Sequence, residues 1–141
     1  MASTSGSCLC GTVKFQLTGD PQSCFVCHCT SCQKITGSAF SANCWYKQDQ
    51  LDLIQGEESI KSHGDSETAS GHTLTRSFCS TCGSNLFLRH SLMDASGMIS
   101  VTSGTIDNRD NLSPSVEFFC RNKRGWLSPG GISGTEQKEA Q

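Results

Sequence analysis

The sequence has little of what most binding and catalytic classes need. No stretch approaches the roughly eighteen consecutive apolar residues of a membrane-spanning helix, so no membrane partner is expected. Its 11 Lys and Arg side chains against 13 Asp and Glu give a net charge of -2 with no basic block, which argues against nucleic acid as a partner. With 3 prolines and 14 glycines in 141 residues there is no long linker, and the length fits one domain with a modest core. Met1 to Ser7 has neither a basic nor an apolar leader region, so the protein is expected to be soluble, intracellular and cytoplasmic. There is no Ser/His/Asp arrangement, no phosphate-cradling glycine loop and no His-Glu-x-x-His helix.

What the chain does have is cysteine, 10 in all. Reducing compartments keep thiols free, so in an intracellular protein this number reads as metal ligands rather than as a disulfide framework. The rest of the pattern is β. Val13, Phe15 and Leu17 alternate on one face of a strand over 11–17, which ends at Gly19-Asp20-Pro21. Similar segments are expected over 39–46, 51–54, 59–62, 72–78, 85–90, 98–103 and 115–119, giving an all-β domain over 1–129. The one candidate helix is a short turn over 30–35, with Thr30 as N-cap and Gly37 as its stop. The polar stretch 63–70 reads as a loop. Residues 130–141 offer almost nothing apolar to bury and read as a flexible tail.

Cys79-Ser80-Thr81-Cys82-Gly83 has the spacing of a metal-binding knuckle. Cys8 and Cys10, two apart in an extended segment, present both sulfurs to one side and can complete a closed four-thiolate site. Such a site would tie the N-terminus to the middle of the chain and contribute folding energy directly. Cys27 and Cys29 likewise share a face, and Cys32 returns on the helical turn, so three sulfurs can converge on a second ion. Three ligands leave a position open for substrate, as in catalytic zinc sites. Cys24 leaves a second reading open, a closed four-cysteine site. In an extended strand it lies an odd number of residues from Cys27 and faces the other way, and only a local turn would bring it in. Cys44 and Cys120 sit in apolar stretches and read as buried free thiols. By the same parity His28 points away from the cluster and supports it from behind, and His63, His72 and His90 lack ligand spacing.

Several motifs resemble those of one family. Gly6-Ser7-Cys8-x-Cys10-Gly11-x-Val13-x-Phe15 comes first, followed by Cys27-His28-Cys29-x-x-Cys32-Gln33-Lys34-x-x-Gly37-Ser38-x-Phe40 and by Arg76-x-Phe78-Cys79-x-x-Cys82-Gly83. Together with Gly104 to Asp107 and Arg121 to Trp126 they resemble the glutathione-dependent formaldehyde-activating enzyme family, which includes the centromere protein V relatives. The resemblance implies a β-tent zinc fold with two zinc ions per chain. One would be structural on Cys8, Cys10, Cys79 and Cys82, and one catalytic on Cys27, Cys29 and Cys32. It also implies a carbon–sulfur lyase joining glutathione and formaldehyde as S-hydroxymethylglutathione, or carrying out a related reaction on another small electrophilic metabolite, so a small thiol or thiol adduct, glutathione for one, is the expected partner. Three thiolates leave a zinc site formally at -1, which favours thiol exchange over polarisation of a carbonyl. A ligand with carboxylates would want a cation, for which Arg76, Arg121 and Lys34 are candidates. Phe40 and Trp45 are candidates for the pocket wall, and His28 and Lys34 for the proton donor. The competing reading is a non-catalytic zinc-stabilised interaction module, its second site closed by Cys24. The centromere relatives' chromatin association is disfavoured by the absence of a basic extension.

Overall fold

Alternation along β2 (Lys14–Thr18) decides its packing: Phe15 and Leu17 are buried while Lys14 and Gln16 face solvent. β1 (Ser3–Ser7) and β5 (Leu51–Gln55) flank it antiparallel in a three-stranded sheet. In this computed structural model, which describes residues 1–68, 71–127, 130–132 and 134–140, a second sheet has eight strands. These are β3 (Ser23–Cys27), β4 (Ser41–Lys47), β6 (Ile60–Asp65), β7 (Leu74–Cys79), β8 (Asn85–Arg89), β9 (Met98–Thr102), β10 (Val116–Phe118) and β11 (Glu136–Gln137). Their order is β11-β10-β3-β4-β9-β8-β7-β6, with β10 parallel to both β3 and β11 and every other pair antiparallel. The all-β class expected from the spacing is therefore the one observed.

One core lies between the sheets, where Val13, Phe15 and Leu17 meet Tyr46, Leu86, Val101 and Ile106. Each side chain of this size buried from water contributes about 1.5–3 kcal/mol. The opposite face of β3, β4 and β10 carries a second cluster, in which Phe25, Cys27, Cys29, Cys32, Phe118 and Phe119 pack together with Trp45.

Four elements depart from the pattern in the sequence. β1 carries Ser-Thr-Ser-Gly-Ser, with no apolar alternation to announce it, and a side chain at Gly6 would run into the Phe15 ring. A second helix, α2 (Ser91–Ala95), forms where none was expected, because His90 Nδ1 accepts from the backbone N–H of Leu92 and Met93. The stretch expected as a loop from residue 63 instead continues β6 through Asp65, held by pairing with β7, while residues 69 and 70 lie outside the described residues. Residues 130–141, expected as a tail, include β11, whose partner is β10. No helix among the described residues is long and apolar enough to cross a membrane.

Candidate metal centres and cavity

Two turns bring the first cysteine group together. Cys8 and Cys10 lie between β1 and β2, Cys79 ends β7 and Cys82 lies between β7 and β8, so the group joins the small sheet to the large one. The four sulfurs all lie within 4.8 Å of one another. Ligands about 2.3 Å from a tetrahedral ion stand about 3.8 Å apart, and Cys8–Cys10 and Cys10–Cys79 are separated by 3.6 and 3.9 Å. Gly11 and Gly83, both at φ 79°, supply the left-handed residue after each pair. The Val13 N–H donates to Cys8 Sγ at 3.3 Å, and Cys82 Sγ lies 3.2 Å from Ser84 Oγ. Hydrogen bonding by Ser84 holds the Cys82 thiol down at about 5, so a thiolate ligand is available at neutral pH.

The second group is built by one continuous segment. Cys27 ends β3, Cys29 follows, and Cys32 lies in α1 (Thr30–Thr36). The helix cap is Cys29 rather than Thr30: its backbone is extended at φ -61° and ψ 156°, and its sulfur accepts from the Cys32 N–H at 3.4 Å. Gly37, at φ 62°, ends the helix as expected. The three sulfurs lie within 4.8 Å of one another and are buried. The Cys27 and Cys32 thiols donate to Cys29, which against the cost of burial brings it down to about 2, with the Cys32 N–H and the Arg76 charge adding to the effect. Cys27, as donor to that thiolate and to Cys32, is pushed far up, and burial pushes it further. The group thus carries at least one thiolate at neutral pH even without an ion.

Cys24 does not join it. Cys24 stands directly opposite Cys44 in the β3–β4 register and is bonded to it as a disulfide, on the face of the sheet that meets the main core. The strand parity that separated Cys24 from Cys27 holds, and the reading in which Cys24 closes the second site fails. Cys44 is corrected at the same time: it is buried as expected but is not a free thiol. Antiparallel cross-strand pairing brought the two together, a relation that spacing along the chain does not display.

Cys27, Cys29 and Cys32 line a small open-mouthed cavity of about 70 Å³. Its apolar wall is an aromatic group, with Phe25 4.6 Å from Trp45 and 5.4 Å from Phe118 between ring centroids. Phe119 joins that wall from a left-handed backbone, φ 56°, unusual for a residue with a side chain. The far wall is a cross-strand row in which Trp45 faces Ser100, Ser100 faces Leu88 and Leu88 faces Arg76. Trp45 is therefore on the wall as expected, whereas Phe40 stands outside this cavity, against His28.

His28 points away from the cavity, as its parity required. It is 1% exposed, and its Nε2 pairs with Glu117 Oε1 at 2.8 Å. Burial raises the Glu117 carboxyl, but the Ile132 N–H, the Thr135 hydroxyl, His28 and Lys123 outweigh it and hold the group at about 2. His28, Glu117 and Cys120 also lie close enough to hold an ion, but His28 and Glu117 already engage each other and the Cys120 thiol donates to the Glu117 carbonyl. Neither His28 nor Lys34 borders the cavity as a proton donor would. Glu117 and the partners that pin it were missed by sequence reasoning. A lone Glu in an apolar strand was the signal available.

A family model described as glutathione-dependent formaldehyde-activating enzyme matches residues 3–122. The chain belongs to that family. No curated protein matches it. A solved structure of a Rhodobacter sphaeroides protein, a structural-genomics target, is similar at a TM-score of 0.56 and 15% identity, covering 95% of this chain and 98% of that one. That likeness speaks for the fold alone. Membership in the formaldehyde-activating family covers both cysteine groups, whereas Lys123, Ile132 and Thr135, which hold Glu117, lie beyond the matched span.

Proposed function

We propose that this chain is a zinc-dependent carbon–sulfur lyase acting on a small thiol adduct, with glutathione and formaldehyde as the pair that the family suggests. Cys8, Cys10, Cys79 and Cys82 would hold a structural zinc, and Cys27, Cys29 and Cys32 a catalytic one. The observation that carries this reading is the convergence of three sulfurs, without a fourth, on the wall of an open cavity. Zinc held by Cys27, Cys29 and Cys32 would supply a lowered thiol pKa, which would make a substrate sulfur bound beside them a nucleophile at neutral pH.

The residues around it do the rest. Phe25, Trp45 and Phe118 give the aldehyde an apolar place beside the sulfur, which raises its effective concentration and keeps competing water out. In synthesis the sulfur attacks the carbonyl carbon, a carbon–sulfur bond forms, and the carbonyl oxygen takes the proton that the thiol gave up. Cleavage is the reverse. The Ser31 and Ser41 hydroxyls border the cavity beside the cysteines and can hydrogen-bond that oxygen.

The test is the approach to equilibrium of glutathione and formaldehyde, followed by NMR of the hydroxymethyl signal with the zinc-loaded protein. Faster equilibration than in buffer is expected, and its absence in Cys29→Ser. A wild-type rate no greater than the uncatalysed one would remove the lyase reading.

A further inference from the structure

Among the described residues, Arg76 is the one Lys or Arg on the cavity wall, and no Asp or Glu lines that wall. It projects from β7, is 4% exposed, and donates through Nε to Asp65 Oδ2 at 3.1 Å. Asp65, on β6, pairs with Leu74 two residues along β7, so the hairpin holds the guanidinium by one edge. Its Nη2 is buried and has no hydrogen-bond partner. Asp65 matches the charge, but a buried guanidinium N–H group left without an acceptor is still costly, so a partner supplied from the cavity is the economical account. The neighbouring walls offer only apolar side chains, hydroxyls, an amide and a histidine beside the cysteine group.

We propose that Arg76 is the anion-binding residue of this cavity and that the site selects compact thiols carrying a carboxylate. The inference rests on the reading above, in that the thiol is taken to lie against Cys27, Cys29 and Cys32. The free guanidinium edge receives the carboxylate while the Asp65 side holds the fork in place, and the aromatic wall covers the carbon chain between the two ends. With no carboxylate among the described residues of the wall, the free guanidinium edge is matched by a single carboxylate on the ligand. Any further ionic groups of a larger thiol such as glutathione then lie at the mouth, in water.

The test compares two probes that differ only at the anionic end, 3-mercaptopropionate and its methyl ester, titrated calorimetrically into zinc-loaded protein. A charge-assisted hydrogen bond predicts about tenfold to a hundredfold tighter binding of the acid by the wild type. Arg76→Gln should bring the ratio to about one while leaving the ester's affinity within about twofold. Asp65→Asn should raise the ratio, because a competing carboxylate has been removed from the guanidinium, and this variant carries the test if Arg76→Gln does not fold. Equal binding of both probes by the wild type overturns the proposal while leaving the thiol site standing. A ratio unchanged in Arg76→Gln, or unchanged in Asp65→Asn where Arg76→Gln fails to fold, reduces Arg76 to a strap on the β6–β7 hairpin and also overturns it. If neither probe binds the wild type, the thiol reading fails together with it.

Discussion

The two cysteine groups use the same ligand at similar distances and differ in what they join. Cys8, Cys10, Cys79 and Cys82 come from two turns 69 residues apart between Cys10 and Cys79, and tie the three-stranded sheet to the eight-stranded one. Cys27, Cys29 and Cys32 come from one segment and tie nothing together that β3 and α1 do not already join. An ion in the first group closes a long loop, so most of its binding energy is folding energy. An ion in the second closes a short one and borders a cavity, so its energy is available for chemistry. Four donors complete a tetrahedron and three do not.

Removing one ligand from each group is the strongest way to break that contrast. Cys79→Ser, at a fully buried position, should weaken the proposed four-thiolate site and with it the link between the sheets. Apparent zinc affinities in small domains, about 10 kcal/mol or more, rival the whole stability of a fold. The expected outcome is loss of the cooperative melting transition by circular dichroism, together with zinc. A Cys79→Ser protein that melts cooperatively within a few degrees of the wild type would show that the group does not hold the fold.

Cys29→Ser should do the reverse. Zinc measured by atomic absorption should fall from two to one per chain, the melting temperature should move by a few degrees, and formaldehyde–glutathione turnover should fall at least about a hundredfold. Serine keeps an oxygen able to accept the Cys32 N–H that Cys29 Sγ now receives, so the helix end contributes little to the stability change. Wholesale unfolding would erase the distinction between the two groups.

Both groups could be recognised from short-range spacing, because two residues along a strand and three around a turn bring sulfurs to one side whatever the rest of the chain does. The alternating apolar positions of β2 and the turn ending at Gly37 could be read for the same reason. What escaped were relations made across strands or by backbone pairing. β1 shows no pattern because its residues are small and polar, and it is a strand only because β2 lies beside it. Cys24 and Cys44 are 20 residues apart, and only the β3–β4 register makes them neighbours. Arg76 looked no different from Arg121 or Lys34 along the chain, and only the β7–β8–β9 register brings it, and not them, onto the wall with the cysteines.

A smaller effect sharpens the boundary between cavity and core. The Cys24–Cys44 link lies on the core face of β3, so the double variant Cys24→Ala, Cys44→Ala should lower stability by about 3 kcal/mol, the loop-entropy value for a separation of 20 residues. Urea denaturation measures that loss. Zinc content should remain two and thiol binding should be unchanged. Loss of the second zinc in this variant would mean that Cys24 supports the three-cysteine group after all.

The smallest expected effect concerns how the second group is held from behind. The first group is steadied by backbone N–H groups and nearby hydroxyls, whereas His28, between Cys27 and Cys29, is fixed by a buried carboxylate. Glu117 titrates at about 2 in the folded protein against 4.5 ordinarily, so folding favours its ionised form. A depressed pKa contributes stability that is complete above about 4.5 and is lost as pH falls through about 2. The shift corresponds to about 3 kcal/mol. Glu117→Gln should therefore be less stable than the wild type by about that amount at pH 7, as measured in urea. The gap should narrow between pH 4.5 and 2, where the wild-type carboxyl takes up its proton. A gap constant across that range would mean that Glu117 holds His28 by shape rather than by charge, and zinc retention by the variant at pH 7 would show that the three-cysteine group does not depend on that charge.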